Sequence, residues 1–173
     1  IYNASGLSVT DSTFDGNRAV DGTFSFDGGG AIFNTTIGGQ ADVATSLFTN
    51  NEARNGGAIA NFNAADMTLR NSDVVANRTA AFGNGGGIFN AGSGAAVTLV
   101  DSRVNDNEAL TGFGKGGGVY SGEGGVLTLE NTQLLRNLAF SDGGGAVALE
   151  GRIANSQVDD NRAENGDGGG IYH

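Results

Sequence analysis

Cysteine and proline are both absent from this sequence of 173 residues, and each absence narrows the class of protein. Without cysteine, the chain forms no disulfide and offers no thiolate to a metal, while its redox compartment stays open. Without proline, its 32 glycines do not belong to a Pro/Gly-rich linker. They are expected at fixed turns of a single folded unit that spans residues 1–173.

Positive charge and long apolar runs are also scarce. The formal net charge is −10, whereas nucleic acids and anionic membrane surfaces require a basic footprint. No apolar run reaches the length of a transmembrane helix, so we expect neither nucleic acid binding nor membrane insertion. The chain opens at Ile1 without a signal-like segment and shows no recognisable end caps, as in a mature piece or an excerpt.

Repetition is what the sequence has in abundance. A glycine run followed by a short apolar segment recurs about every thirty residues, as in "DGGGAIFN" (27–34) and "GNGGGIFN" (83–90). One apolar column before the glycine runs holds Val9, Val43, Leu69, Leu99, Leu129 and Ile153. A second column holds Phe14, Phe48, Val74, Val104, Leu134 and Val158. A third column, after the glycine runs, holds Ile1, Ile32, Ile59, Ile88, Val119, Val147 and Ile171.

These columns favour strands over helices. The apolar runs are short and β-branched, they alternate with period two, and the glycines would break a helix at every turn. Three strands per repeat predict an all-β fold, a right-handed parallel β-helix (solenoid) with about six coils of three short strands. Successive coils would stack at about 4.8 Å, with glycines allowing positive φ and close backbone contact at the corners.

Polar residues form columns as well. Three positions after the second apolar column, the residue is always asparagine: Asn17, Asn51, Asn77, Asn107, Asn137 and Asn161. We expect an inward structural ladder of side-chain amides that bond along the axis and to turn backbone. Next to the ladder, charges of opposite sign alternate between repeats, as at Arg18, Glu52 and Arg78, which predicts ion pairs between neighbouring coils.

An aromatic stripe is predicted on the outer face. Strand alternation turns the residues next to the third apolar column outward: Tyr2, Phe33, Ala60, Phe89, Tyr120, Ala148 and Tyr172. Its five rings, at Tyr2, Phe33, Phe89, Tyr120 and Tyr172, are the candidate interaction stripe for sugars or for another rod. The alternative is an aromatic ladder that only stabilises neighbouring coils.

Residues suited to catalysis are few. The only adjacent acidic pair, Asp159–Asp160, falls in a charged turn, and the only histidine is His173, so no catalytic residue is assigned. Lys115 in "GFGKGGG" lacks the Ser or Thr of a phosphate-binding loop and is read as a plain turn. No cofactor is expected, apart from a weak surface Ca²⁺ site at corners such as those of Asp27, Asp142 and Asp167.

Two short motifs carry a family resemblance. "GGAI" (29–32 and 56–59) paired with "FDGN" (14–17) and "FTNN" (48–51) resembles the repeats of polymorphic outer-membrane proteins. More broadly, the chain is similar to right-handed β-helix passenger and adhesin domains of bacterial surface proteins. The resemblance implies an extracellular or cell-surface rod that adheres, spaces or assembles. Later copies, such as "VVAN" (74–77), depart from the motif by replacing its phenylalanine.

Together these features predict a non-enzymatic structural or adhesive rod. The chain starts with "IYN" and stops with "IYH" in the same phase of the repeat, so we expect it to stack head to tail with copies of itself or on adjoining coils of a longer chain. Glycans or cell surfaces are the other expected partners. The alternative is a carbohydrate-binding or carbohydrate-cleaving β-helix, similar to lyases and depolymerases.

Overall fold

The chain folds into a parallel β-solenoid in a computed structural model that describes residues 1–20, 28–80, 82–110 and 112–173. Within these ranges it contains 25 strands and no helix. The strands form four parallel sheets, and each coil contributes one strand to each sheet in turn. The all-β parallel solenoid predicted from the repeats is confirmed.

The four sheets are named in the order in which the first coil enters them. Sheet 1 contains β1 (Tyr2–Asn3), β5 (Ile32–Thr35), β9 (Ile59–Phe62), β13 (Ile88–Ala91), β17 (Val119–Gly122), β21 (Ala146–Ala148) and β25 (Ile171–Tyr172). Sheet 2 contains β2 (Gly6–Thr10), β6 (Gln40–Ala44), β10 (Asp66–Arg70), β14 (Ala96–Val100), β18 (Val126–Glu130) and β22 (Gly151–Ala154). Sheet 3 contains β3 (Thr13–Asp15), β7 (Leu47–Thr49), β11 (Asp73–Val75), β15 (Arg103–Asn105), β19 (Gln133–Leu135) and β23 (Gln157–Asp159). Sheet 4 contains β4 (Arg18–Ala19), β8 (Glu52–Ala53), β12 (Arg78–Thr79), β16 (Glu108–Ala109), β20 (Leu138–Ala139) and β24 (Arg162–Ala163).

Each coil has one short strand more than the three that were predicted. The strands of sheet 4 follow the ladder asparagines and are two residues long, as in Arg18–Ala19 after Asn17. Two residues cannot show a period-two pattern, so the sequence gives no sign of them. They form because neighbouring coils pair their backbones there, with Glu52 N donating to Asn17 O at 2.9 Å.

The first and second apolar columns lie in the predicted register, and the third column differs from the prediction at one residue. Val9 pairs with Val43, and Phe14 pairs with Phe48, as their alignment requires. In the third column, however, Ala146 pairs with Val119, whereas Val147 was expected there. All three glycines of residues 143–145 belong to the corner, so the inward position falls on the alanine that follows directly.

The core is a continuous apolar column inside the four sheets. Phe48, Ile59, Leu99 and Leu134 have no exposed surface, and burial of each such side chain contributes about 1.5 to 3 kcal/mol. Burial falls at the last coil, where Ile153 is 42% exposed, because no further coil covers it in this structure. The middle coils therefore carry most of the packing energy.

Glycine is required at the corner from sheet 4 to sheet 1. Gly116 has a φ of 64°, which side chains other than glycine rarely adopt. A Cβ atom on the next residue, Gly117, would lie 2.5 Å from the carbonyl oxygen of Gly144 in the following coil. The glycine run therefore serves both purposes expected of it, a positive φ and close contact between backbones.

Another corner, between sheets 2 and 3, is formed by asparagine or aspartate in most coils and by Thr45 in one. The residue there has a φ near 50° in every coil: Asp11, Thr45, Asn71, Asp101, Asn131 and Asn155. Short polar side chains tolerate this left-handed conformation better than most others because they bond to nearby backbone. The following Ser or Thr closes the corner, as Ser72 Oγ does by donating to Arg70 O at 2.8 Å.

Candidate functional site

The asparagine column forms a hydrogen-bonded ladder along the inside of the solenoid. At its centre, Asn77 Nδ2 donates to Asn107 Oδ1, and Asn107 Nδ2 donates to Asn137 Oδ1, each at 3.0 Å. Asn137 Oδ1 also accepts the backbone N–H of Asn107 at 3.0 Å. Asn107 Nδ2 donates in addition to Val74 O of the preceding coil at 2.9 Å. The ladder connects Asn17, Asn51, Asn77, Asn107, Asn137 and Asn161.

A second polar ladder, which the sequence analysis missed, runs along the inner face of sheet 1. Asn34 Nδ2 donates to Asn61 Oδ1 at 2.7 Å, and Asn61 Nδ2 donates to Asn90 Oδ1 at 2.9 Å. Asn3 precedes this series and Ser121 follows it. Its signal is the third residue of "IYN", "IFN", "IAN" and "VYS", two positions after the third apolar column. The inner members of both ladders are buried and support the fold, so they offer no surface to a ligand.

Ion pairs connect neighbouring coils on the surface, as the alternating charges predicted. Glu52 Oε2 lies 3.0 Å from Arg78 Nη2 and 3.7 Å from Arg18 Nε, so it joins three coils. Arg136 makes two bonds of 2.8 Å to the carboxylate of Asp106. Exposed pairs of this kind contribute about 0 to 1 kcal/mol each, so their effect is mainly on register.

The aromatic stripe lies on the outer face of sheet 1 but is unevenly exposed. Tyr2 is 70% exposed, whereas Phe89, whose ring was expected to be exposed on the outer face, is only 3% exposed. Phe89 is covered because it stacks on Tyr120, with ring centroids 5.4 Å apart and planes at 6°. Tyr2 meets the partly buried Phe33 edge to face at 5.7 Å. These contacts favour the alternative, a ladder that stabilises neighbouring coils, over this part of the stripe.

Two coils depart from the aromatic column, and each has a buried aliphatic residue at that position. In the third coil the column position holds the buried Ala60, and a ring appears two residues later at Phe62, which packs against the same cluster as Phe89. In the sixth coil the position holds Val147, which is 2% exposed, and the Ala148 that was predicted for it pairs with Ser121 instead. Whether a residue on the outer face of sheet 1 is buried therefore depends on where the aromatic rings of the adjacent coils lie.

Lys115 makes specific contacts that a plain turn would not require. Its Nζ atom lies 2.7 Å from Asp142 Oδ2 in the next coil and 5.9 Å from the centre of the Tyr172 ring one coil further on. The hydrogen bond from Lys115 and a second from the Asp167 backbone N–H hold the pKa of Asp142 below its usual range. The bond to Asp142 likewise raises the pKa of Lys115, and burial raises the pKa of Tyr120.

The structure brings no catalytic group together from the residues that were weighed for one. Asp159, Asp160 and His173 are all exposed at the last coil. Among the residues that the structure describes, no three His, Cys, Asp or Glu side chains are placed to hold a metal ion. Asp27, one corner considered for Ca²⁺, lies outside the described residues. In the same described ranges, no helix is long and apolar enough to cross a membrane.

Comparison with known proteins gives one match, which falls on the first two repeats. The profile of the Chlamydia polymorphic membrane protein repeat matches residues 11–35 and 45–61. These residues include both "GGAI" motifs and both Phe-x-x-Asn motifs. The resemblance to polymorphic outer-membrane protein repeats is therefore confirmed, and the parallel solenoid agrees with it. Searches of curated proteins and of solved structures found no match.

The fold and the repeat match together define the class of this chain. It is a parallel β-solenoid, and two stretches near its start match the repeat of Chlamydia polymorphic membrane proteins.

Proposed function

We propose that the chain is a rod-like segment of a bacterial surface protein that presents its outer faces for adhesion and carries out no catalysis. The observation that supports this most directly is the repeat match on a solenoid whose described coils all share one architecture. Internal ladders and a continuous core make such a rod stiff, because each coil is bonded to the next at many points. A stiff rod suits presentation of a binding surface away from a cell.

Cell-surface labelling tests this role. An antibody raised against the folded chain should label intact, unpermeabilised cells that produce the protein. Protease added to those cells should remove the signal, while a cytoplasmic marker should remain intact as a control. Labelling that appears only after permeabilisation would contradict the surface role.

Head-to-tail stacking on a second copy is part of the same proposal. The asparagine ladder has a direction, because each amide donates towards the next coil, from Asn17 to Asn51 at one end and from Asn137 to Asn161 at the other. The end of the ladder at Asn161 therefore presents an amide donor to a following coil, and the end at Asn17 presents an amide oxygen acceptor to a preceding coil. The core column is also open at the last coil, with Ile153 42% exposed. Two such faces are complementary, and the contact is heterologous and can repeat.

Sedimentation velocity and electron microscopy of the isolated chain test the stacking. The sedimentation coefficient should rise with protein concentration, and images should show rods of several chain lengths. A variant that places a charge on the open face, Ile153→Lys, should remain monomeric. A wild-type chain that stays monomeric at high concentration would refute the stacking and leave the surface role intact.

A further inference from the structure

The corner between sheets 4 and 1 carries a polar pair beside aromatic rings. Lys115 and Asp142 come from consecutive coils and form an ion pair of 2.7 Å, with side chains that are 39% and 16% exposed. Lys115 lies over the partly exposed ring of Tyr172 and interacts electrostatically with Tyr120 as well. The pair and the rings are therefore reachable together from one side of the rod.

From this geometry we infer that the Lys115–Asp142 pair and Tyr172 form a binding site for a neutral glycan, an inference that rests on the proposed surface role and names its ligand class. The ammonium donates to one sugar hydroxyl, and the carboxylate accepts from the hydroxyl next to it. The apolar face of the same sugar ring packs against the exposed part of Tyr172.

The donor and the acceptor lie side by side and both keep free hydrogen-bonding capacity. Nζ donates to Oδ2 at 2.7 Å, and an ammonium has three donors while a carboxylate has two acceptor oxygens. Both groups keep their charge over a wide pH range, because the pKa of Asp142 is lowered and that of Lys115 is raised by their bond. Hydrogen bonds to charged groups are stronger than neutral ones, which favours hydroxyl ligands over water.

The surrounding charge favours neutral sugars over acidic ones. The only lysine of the sequence is already paired with Asp142, and the chain as a whole carries a formal charge of −10. Glu123 acts on the nearby Tyr120, and Asp167 is exposed beside Asp142. A carboxylated or sulfated glycan would meet this acidic surface, where the ammonium of Lys115 is already paired with Asp142.

Exposure distinguishes this part of the stripe from the rest. Phe89 and Val147 are buried and offer no surface to a ring. Tyr2 is 70% exposed, but its ring packs against Phe33, and the salt bridge of Lys115 lies in a distant coil. Tyr2 is therefore a matched control for Tyr172.

The test is a glycan titration of the purified chain. Mannohexaose, cellohexaose and maltohexaose are each titrated to about 10 mM, which covers millimolar affinities, and hexagalacturonate serves as the acidic comparison. Binding is followed by saturation-transfer NMR and by tyrosine fluorescence, since the chain has three tyrosines and no tryptophan. At least one neutral hexasaccharide should bind saturably and more tightly than hexagalacturonate.

Four variants locate the site. Lys115→Met and Tyr172→Ala should each weaken binding about tenfold or more, from loss of a charged hydrogen bond or of ring packing. Tyr2→Ala and Arg18→Met, which alter an exposed ring and an exposed ion pair elsewhere, should change it less than about twofold. Circular dichroism checks that each variant is folded. If Lys115→Met does not fold, the result for Tyr172→Ala decides whether the site is correct.

Three results would overturn the inference: no saturable binding of any neutral hexasaccharide, unchanged binding in the folded site variants, or tighter binding of hexagalacturonate. The titration uses purified protein and does not depend on where the protein lies in a cell. A chain that labels on intact cells but binds no hexasaccharide would refute only this inference. A chain that binds glycan but stays inside cells would refute only the surface role.

Discussion

At the scale of single residues, buried amides do work that apolar side chains cannot do. Asn107 is fully buried and bonds to coils on both sides, through its own amide and through the backbone N–H and side chain of Asn77. Its side-chain amide also donates to the carbonyl oxygen of Val74 in the preceding coil. Asn107 therefore stabilises the fold mainly because its removal would leave buried donors without an acceptor.

Replacement of Asn107 by leucine should lower the free energy of unfolding by about 1 to 3 kcal/mol. The backbone N–H and the side-chain amide of Asn77 lose Asn107 Oδ1 as an acceptor, and Asn137 Oδ1 loses one donor, while leucine adds no hydrogen bond. Urea unfolding followed by circular dichroism measures the change. Asn17→Leu, the same substitution at the exposed end of the ladder, should cost less. Equal losses at the two positions, or no loss at Asn107, would contradict a cooperative inner ladder.

At the scale of elements, the corner glycines determine how closely two coils can approach. Gly117 is buried, and a Cβ atom there would lie 2.5 Å from backbone atoms of both Leu138 and Gly144. Neither neighbour is a flexible side chain, so the contact can be relieved only by moving backbone. Strand pairing in sheets 1 and 4 thus depends on the absence of one methyl group.

Gly117→Ala should therefore destabilise the solenoid by about 2 kcal/mol or more through overpacking. Gly6→Ala is the matched control, because nothing lies within 4 Å of its Cβ position. There the added methyl group restricts the unfolded chain and should change stability by less than about 1 kcal/mol, in the favourable direction. Thermal and urea unfolding of the two variants give the comparison. A tolerated alanine at Gly117 would mean that the coils are further apart than described.

At the scale of the whole molecule, stability is distributed along one axis. In each of the four sheets, an inner strand pairs with the strands of the coils before and after it, whereas the first and last strands have one pairing neighbour. Burial reflects this, since Phe48 and Leu99 are fully buried while the equivalent residues of the first and last coils, Phe14 and Ile153, are not.

Amide hydrogen exchange should follow the same gradient. At low protein concentration, strands β9 to β20 should be protected most, and β1 to β4 and β22 to β25 least, because local opening is easiest where packing is one-sided. Mass spectrometry of peptic peptides gives the profile. If copies stack, protection of the two outer coils should rise with concentration while the inner coils stay constant. Uniform protection along the chain would contradict independent opening of the ends.

The sequence by itself determined the repeat, the apolar columns and the asparagine ladder. Stacked coils place equivalent residues directly above one another, so a period in the sequence becomes a column in space without further information. The second ladder was missed, although its asparagines also recur at a fixed place, directly after the aromatic column. The two-residue strands of sheet 4 could not be predicted, because they are too short to show a period.

Only the tertiary structure decided which outward residues are exposed and which meet. Alternation turns Phe89 outward, yet the ring of Tyr120 in the next coil covers it. Lys115 reads as a plain turn until the coils stack and bring Asp142 and Tyr172 beside it. The physical reason is that strand alternation determines only the direction of a side chain. Its burial and partners depend on the size and charge of residues one or two coils away.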